Sequence, residues 1–185
     1  MADAPADGLM EARPLGSGAW PKGEGFRLEP WSFATLHLAP ISSDGARAEN
    51  VIPGLDRLPA MLRAAEIPGG VVLRVGPGEV LLVSEGGAET PAKANFPEHS
   101  LIEISHSLIG FQLSGPSAEA LLALGCPLDM HRAAFPVGMV TRTVFAKFDV
   151  MLWRIAPTDF RLWVARSAYL AFVAQLDSIF PHVAV

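Results

Sequence analysis

Cys126 and His131 stand five residues apart, with Asp129 between them. A nucleophilic cysteine needs a neighbouring base and an electropositive setting. Spacing alone supplies neither, and free cysteine is among the most buried residue types. Cys126 is therefore read as a small side chain packed behind a helix end. Asp129 is expected to hydrogen-bond its own loop backbone, which aspartate does readily. The five histidines, His37, His99, His106, His131 and His182, are scattered. None belongs to an H-E-x-x-H or paired-cysteine pattern, so no metal site is expected. His106, between Ser105 and Ser107, reads as a hydrogen-bonded turn or strand histidine. Leu15-Gly16-Ser17-Gly18 follows no strand and opens no helix. It reads as linker, and no phosphate-cradling or dinucleotide motif is present.

These residues need a frame, and residues 101–138 supply one. Residues 101–105 and 108–113 are short apolar runs with β-branched members, the pattern of half-buried strands. Ser114-Gly115-Pro116 reads as a helix start, since proline fits the first helical position. Ala118, Leu121, Leu122 and Leu124 supply an apolar stripe. Gly125 is expected to take the left-handed conformation that ends a helix. Pro127 then keeps the following segment irregular.

Around this centre the chain alternates strands and helices. Residues 1–25 are rich in Ala, Gly, Pro and Asp, with no period, and read as a flexible arm. Residues 29–39 alternate like a strand. Leu55, Leu58, Leu62 and Ala65 recur at helical spacing, so a helix is expected from near Leu58, with Pro59 in its first turn. Residues 69–85 read as a hairpin whose turn, Gly76-Pro77-Gly78-Glu79, suits type II geometry. Residues 86–100 read as a loop. Strands are expected at 139–145, 149–155 and 160–164. Ser167 is expected to cap a last helix carrying Leu170, Val173, Leu176 and Phe180 on one face. Trp153 and Trp163 fall on consecutive strands, where a cross-strand contact is available. They are also candidates to anchor a subunit interface, where tryptophan is enriched.

The order is β, α, β, β, then β, β, α, β, β, β, α. It predicts an α+β fold of two β-rich units with helices packed to the side. The expected division is an arm over 1–25 and one domain over 26–185, with sub-units 26–100 and 101–185.

Composition narrows the function classes. Half of the 185 residues are hydrophobic and 18% are charged, and the mean hydropathy is +0.33. That is apolar enough for a partner to cover part of the surface. No apolar run reaches the roughly 18 residues that a membrane span requires. The N-terminus lacks the basic start and apolar core of a signal peptide. A single cysteine leaves no internal disulfide, so a cytoplasmic location is expected. The net charge is −5 with no basic cluster, which argues against nucleic acid as a partner.

One stretch carries a resemblance. GCPLDMHRAAFPVG (125–138) resembles the Gly-Cys-Pro-Leu-Asp…His…Phe-Pro…Gly signature of the sarcosine oxidase gamma subunit family. The lead-in ISHSLIGFQLSGPSAEALLALG, the downstream Thr143 and Lys147, and GPGEVLLV (76–83) add to it. The resemblance implies the folate-binding fold shared with the glycine-cleavage aminomethyltransferase. It implies a non-catalytic structural subunit of a complex that oxidatively demethylates sarcosine to glycine. FAD, FMN, NAD and tetrahydrofolate would sit on partner subunits and none on this chain, whose chief partner would be a large alpha-type subunit. In the aminomethyltransferase relatives an aspartate after the equivalent helix touches the reacting end of the folate. By that resemblance Asp129 is a ligand-binding candidate, with His131 and Arg142 behind it, although Leu128 stands where those enzymes typically have Asn. The alternative is a stand-alone folate- or pteridine-binding, aminomethyltransferase-like protein. The folate-dependent iron–sulfur assembly factors fit less well, since Pro127 follows Cys126 and their Gly-Gln-Glu is missing.

Overall fold

A computed structural model describes residues 22–23, 25–31, 35–40, 52, 55–84 and 101–179, with the backbone alone at 22–23 and 35–40. The expectations for Trp20, His99, His182, Phe180 and the 86–100 loop lie outside the described residues. So does nearly all of the 1–25 arm, though its residues Lys22–Gly23 form a strand.

Among the described residues, eleven strands make two antiparallel sheets. The first has six strands in the order β1 (Lys22–Gly23), β2 (Phe26–Pro30), β8 (Leu108–Ser114), β11 (Asp159–Ala165), β10 (Phe148–Ala156) and β9 (Val140–Phe145). The second has five, in the order β4 (Ala64–Ile67), β5 (Gly70–Gly76), β6 (Glu79–Ser84), β3 (Thr35–Pro40) and β7 (Ile102–Glu103). The two α-helices among the described residues are α1 (Ala118–Gly125) and α2 (Tyr169–Ile179).

The layers follow from strand periodicity. Successive strand residues point to opposite faces, so an apolar run without alternation belongs to a strand covered on both sides. β10 is such a run. Val150 and Leu152 join the helix-side core with Phe111, Leu162, Phe172 and Leu176. Met151 and Trp153 face the other way and meet Leu73, Val75, Leu81 and Val83 of the second sheet. The outer face of that sheet carries Val72, Val80 and Leu82, covered by Ile52, Leu55 and Leu58. The α+β layout expected from the sequence is therefore present, as helices on a sheet that lies on a second sheet.

Several local expectations are corrected. No helix begins near Leu58. Residues 55–60 form no regular element, and β4 starts at Ala64. Proline disrupts a helix interior, and here the Pro59 carbonyl accepts a hydrogen bond from Arg74 Nη1 at 3.1 Å. Leu62 has φ +59, a further break in any helix. The leucine spacing was real as packing, since Leu55 and Leu58 both lie against the second sheet. Residues 101–105 pair only over β7, after which Ser105–Ser107 turn as a 3-10 helix. Gly78 does not take positive φ, so the hairpin turn is not type II. A register shift between Arg74 and Gly76 brings the strands to that turn through a bulge, which adds its own twist.

At α1 the helix begins at Ala118 rather than at Pro116, and Ser117 makes no side-chain cap. The Ser117 N–H instead donates to the Gly25 carbonyl at 2.8 Å. Leu124 points to solvent. Gly125 is not left-handed; the chain leaves the helix through an extended Cys126. Gly125 matters for a different reason: a Cβ there would lie 2.8 Å from the Phe145 ring. In α2 the buried face is Tyr169, Phe172, Val173 and Leu176, at helical spacing. Leu170 is exposed, and Ser167 lies in a preceding 3-10 turn.

Candidate functional site

The signature stretch is a loop held by its own backbone and by one buried cation. Asp129 Oδ1 accepts the His131 N–H at 2.8 Å. The His131 carbonyl accepts the N–H groups of Ala134 and Phe135 at 2.9 and 2.8 Å. The Ala133 N–H donates to His131 Nδ1 at 3.3 Å. Met130 and Phe135 drop into the helix-side core. Cys126 is buried, with Sγ 3.5 Å from Thr143 Oγ1. Asp129 thus makes the self-bonding expected of a loop aspartate, and Cys126 packs behind α1.

Arg154, in β10, sits beneath this loop with no exposed surface. Its Nη2 donates to Glu119 Oε2 at 2.8 Å and to the Met130 carbonyl at 2.6 Å. Its guanidinium lies 4.7 Å from the centre of the Phe160 ring. A buried charge is costly unless paired and hydrogen-bonded, and the pairing here ties α1, the loop and β10 together. Nε and Nη1 of Arg154 are buried without a hydrogen-bond partner. The loop ends at Gly138, whose φ is +81. Its N–H donates to the Arg154 carbonyl and its carbonyl accepts the Ala64 N–H, both at 2.8 Å. Gly138 thereby joins the two sheets.

The ligand-binding candidates do not converge. Asp129 and His131 are exposed on the rim of an open depression of about 480 Å³. Glu119, Ala120, Arg132 and Thr158 also line it. Arg142 points from β9 toward the other side of its sheet. Its Nη1 pairs with Glu79 Oε2 at 2.6 Å, and it borders a groove of about 740 Å³ between the sheets. Among the described residues no group of three His, Cys, Asp or Glu side chains is placed to hold a metal ion.

The interface candidates Trp153 and Trp163 are 7% and 1% exposed, inside the core between the sheets. Trp153 opposes Arg161 and Trp163 opposes Met151, so the two are diagonal neighbours rather than a facing pair. Trp163 meets Trp31 edge-on, with centroids 5.1 Å apart. Arg161 lies 4.0 Å from the Trp31 ring centre and 5.3 Å from that of Trp153. Arg154 and Arg161 are organising residues that sequence reading missed. The available signal was a charge inside each of the buried strand runs MLWRIA and FRLWV.

No family model matches the chain. Among curated proteins, the gamma subunit of sarcosine oxidase from Corynebacterium sp. (strain P-1) is 32% identical over 159 residues, covering 82% of this chain and 76% of that protein. The chain belongs to the sarcosine oxidase gamma subunit family. A gamma subunit from Arthrobacter sp. is likewise 32% identical, over 160 residues, with 82% and 76% covered. Among solved structures, heterotetrameric sarcosine oxidase from Corynebacterium sp. U-96, in complex with pyrrole 2-carboxylate, contains a chain that superposes with a TM-score of 0.72. That match has 22% identity and covers 90% of this chain and 89% of the other. The glycine cleavage system aminomethyltransferase T from Bartonella henselae superposes at 0.56 with 16% identity, covering 84% of this chain and 46% of that one. At these identities the superpositions establish the fold, and the likeness to the aminomethyltransferase fold that the resemblance implied is present. No helix among the described residues is long and apolar enough to cross a membrane.

Proposed function

We propose that this chain is a non-catalytic, gamma-type structural subunit of a heterotetrameric sarcosine oxidase-like complex that oxidatively demethylates sarcosine to glycine. The observation that carries the reading is the 32% identity with a gamma subunit over 159 residues, spanning most of both chains. In this reading the flavins, the nicotinamide cofactor and tetrahydrofolate belong to partner subunits, the large alpha-type subunit is the main contact, and the complex works in the cytoplasm. No chemical step is routed through this chain. Its own residues supply shape: Arg154 and Glu119 fix the signature loop, and the paired sheets present a surface to the assembly. Exposed Ile102, Leu124, Val137 and Val144 fit a chain that covers apolar area on assembly.

A folate-type role for Asp129 and His131 is the second reading. The open depression they share would bury little of a ligand, whereas small-molecule sites usually enclose most of one. Affinity co-purification of the tagged chain, from native cells grown on sarcosine, separates the two. The expected result is a yellow, flavin-containing complex with larger subunits that oxidises sarcosine and keeps its turnover in Asp129→Ala. A chain that emerges alone and colourless, and binds tetrahydrofolate only while Asp129 is intact, overturns the subunit reading.

A further inference from the structure

The first sheet ends at β9, the outermost strand on that side among the described residues. In an antiparallel ladder, alternate residues turn their N–H and C=O groups away from the neighbouring strand. The phase of β9 is set at Val140, which lies opposite Trp153 and donates its N–H outward to the Leu62 carbonyl at 3.0 Å. Arg142 and Val144 share that phase. Their outward N–H groups meet no backbone partner among the described residues, and the Arg142 carbonyl accepts only the adjacent Thr141 hydroxyl. The edge of the second sheet therefore closes the start of β9 and leaves the rest open.

A groove runs beside this open edge, where the inner face of the first sheet emerges from under the second. Leu108, Val144, Met151 and Trp163 line it on the first-sheet side, with Leu81 and Ile104 on the other. It is mainly apolar, and Val144 is 37% exposed within it. Its charges are unequal. Arg142 is neutralised by Glu79, whereas Asp149, opposite Val144 in the ladder, has no ion pair among the described residues. An unpaired strand edge is a template for another strand, with backbone bonds giving affinity and alternate side chains giving selectivity.

We propose that β9 is the docking edge of this chain. Its occupant is an extended segment of a partner subunit that adds to the sheet at Arg142 and Val144. That segment places alternate apolar side chains in the inter-sheet groove and a Lys or Arg against Asp149. This rests on the subunit reading above and deepens it.

The test uses the full chain co-expressed with the larger subunits. Val144→Pro removes an outward N–H that β10 does not use, a substitution that edge strands tolerate. Val144→Lys keeps the backbone and charges the groove, Asp149→Lys inverts its unmatched charge, and Leu170→Lys alters an exposed site elsewhere. Assembly is read by size-exclusion chromatography at graded concentration, and amide exchange is followed in the free and assembled chain. The proposal expects each groove variant to assemble about tenfold more weakly or worse, as loss of a desolvated hydrogen bond or charge contact implies. It expects Leu170→Lys to assemble normally, and the amides of Arg142 and Val144 to exchange at least about tenfold more slowly in the complex. If Val144→Pro unfolds, Val144→Lys and the exchange data decide. Wild-type assembly that all three groove variants reproduce, with those amides unprotected, overturns the proposal and leaves the subunit reading standing. A chain that instead forms a homodimer broken by Val144→Lys makes the occupant a second copy and overturns it too. A wild-type chain that joins no complex overturns both.

Discussion

A fully buried guanidinium under an exposed loop is the residue on which the signature stretch depends. Arg154 bonds the Met130 carbonyl and Glu119 from a position with no exposed surface. Removing the guanidinium empties a buried site and leaves the buried Met130 carbonyl without its donor, whereas Glu119, 34% exposed, can turn to water. Arg154→Ala is therefore expected to destabilise the chain by about 3 kcal/mol or more in urea unfolding. Arg154→Met, which refills the volume, should cost clearly less. Equal losses in the two variants would assign the effect to the lost guanidinium contacts and not to packing. The sequence reader could see the loop but not its support. Asp129 binding its own backbone follows from residue type, whereas the meeting of Arg154 with Glu119 depends on a tertiary contact across 35 positions.

At the scale of elements, α2 shows what periodicity determines and what it leaves open. The helix was legible, but its buried face is set by where the 3-10 turn Arg166–Ala168 delivers it to the sheet. A small rotation puts Tyr169 and Phe172 inward and Leu170 outward. Phe172 contacts Phe111, Phe145 and Phe148. Phe172→Ala should cost about 3–5 kcal/mol in thermal or urea unfolding. Leu170→Lys should stay within about 0.5 kcal/mol, as surface changes do. Tyr169 stacks on Phe111, and burial raises the pKa of its phenol. A raised folded pKa means that folding favours the neutral phenol. Its stabilisation is complete below the unfolded value, about 10, and is lost as pH rises through the folded value. The melting temperature of the wild type should therefore fall more steeply above about pH 10 than that of Tyr169→Phe. The chain has one tyrosine, so phenolate absorbance titrates this group alone. A midpoint at the ordinary phenol value would sink the argument. The missed element, the expected helix near Leu58, fails for the opposite reason to α2. There the leucine spacing satisfied a helix, but Pro59 and the cross-sheet bond from Ala64 to Gly138 favoured a turn and a strand.

At the scale of the molecule, the order of elements along the chain does not match their order in space. Chain order suggested a break at residue 100. In space β2, from the early part, lies beside β8, and β7, from the late part, lies beside β3. Pairing of distant strands leaves no local sequence signal, which is why the layers were legible and the strand exchange was not. The consequence is energetic. Phe26 and Leu28 of β2 belong to the same core as Phe111, Leu113 and Phe172. The inner core draws Leu73, Val75, Leu81 and Val83 from one side of residue 100 and Val140, Met151, Trp153 and Trp163 from the other. A fragment over residues 101–185 would bare the β8 edge and lose the cover over both tryptophans. A fragment over residues 26–100 would keep four strands of the second sheet without the face that buries them. Each half exposes apolar area that is worth about 25 cal/mol per Å² when buried, against a net stability of only about 5–15 kcal/mol for a whole domain. Neither half should therefore show a cooperative thermal transition alone. The two mixed in equal amounts should recover one transition, with tryptophan fluorescence and far-ultraviolet circular dichroism changing together. A fragment over 101–185 that melts cooperatively by itself would show that the strand exchange contributes little, and that the first sheet holds without β2.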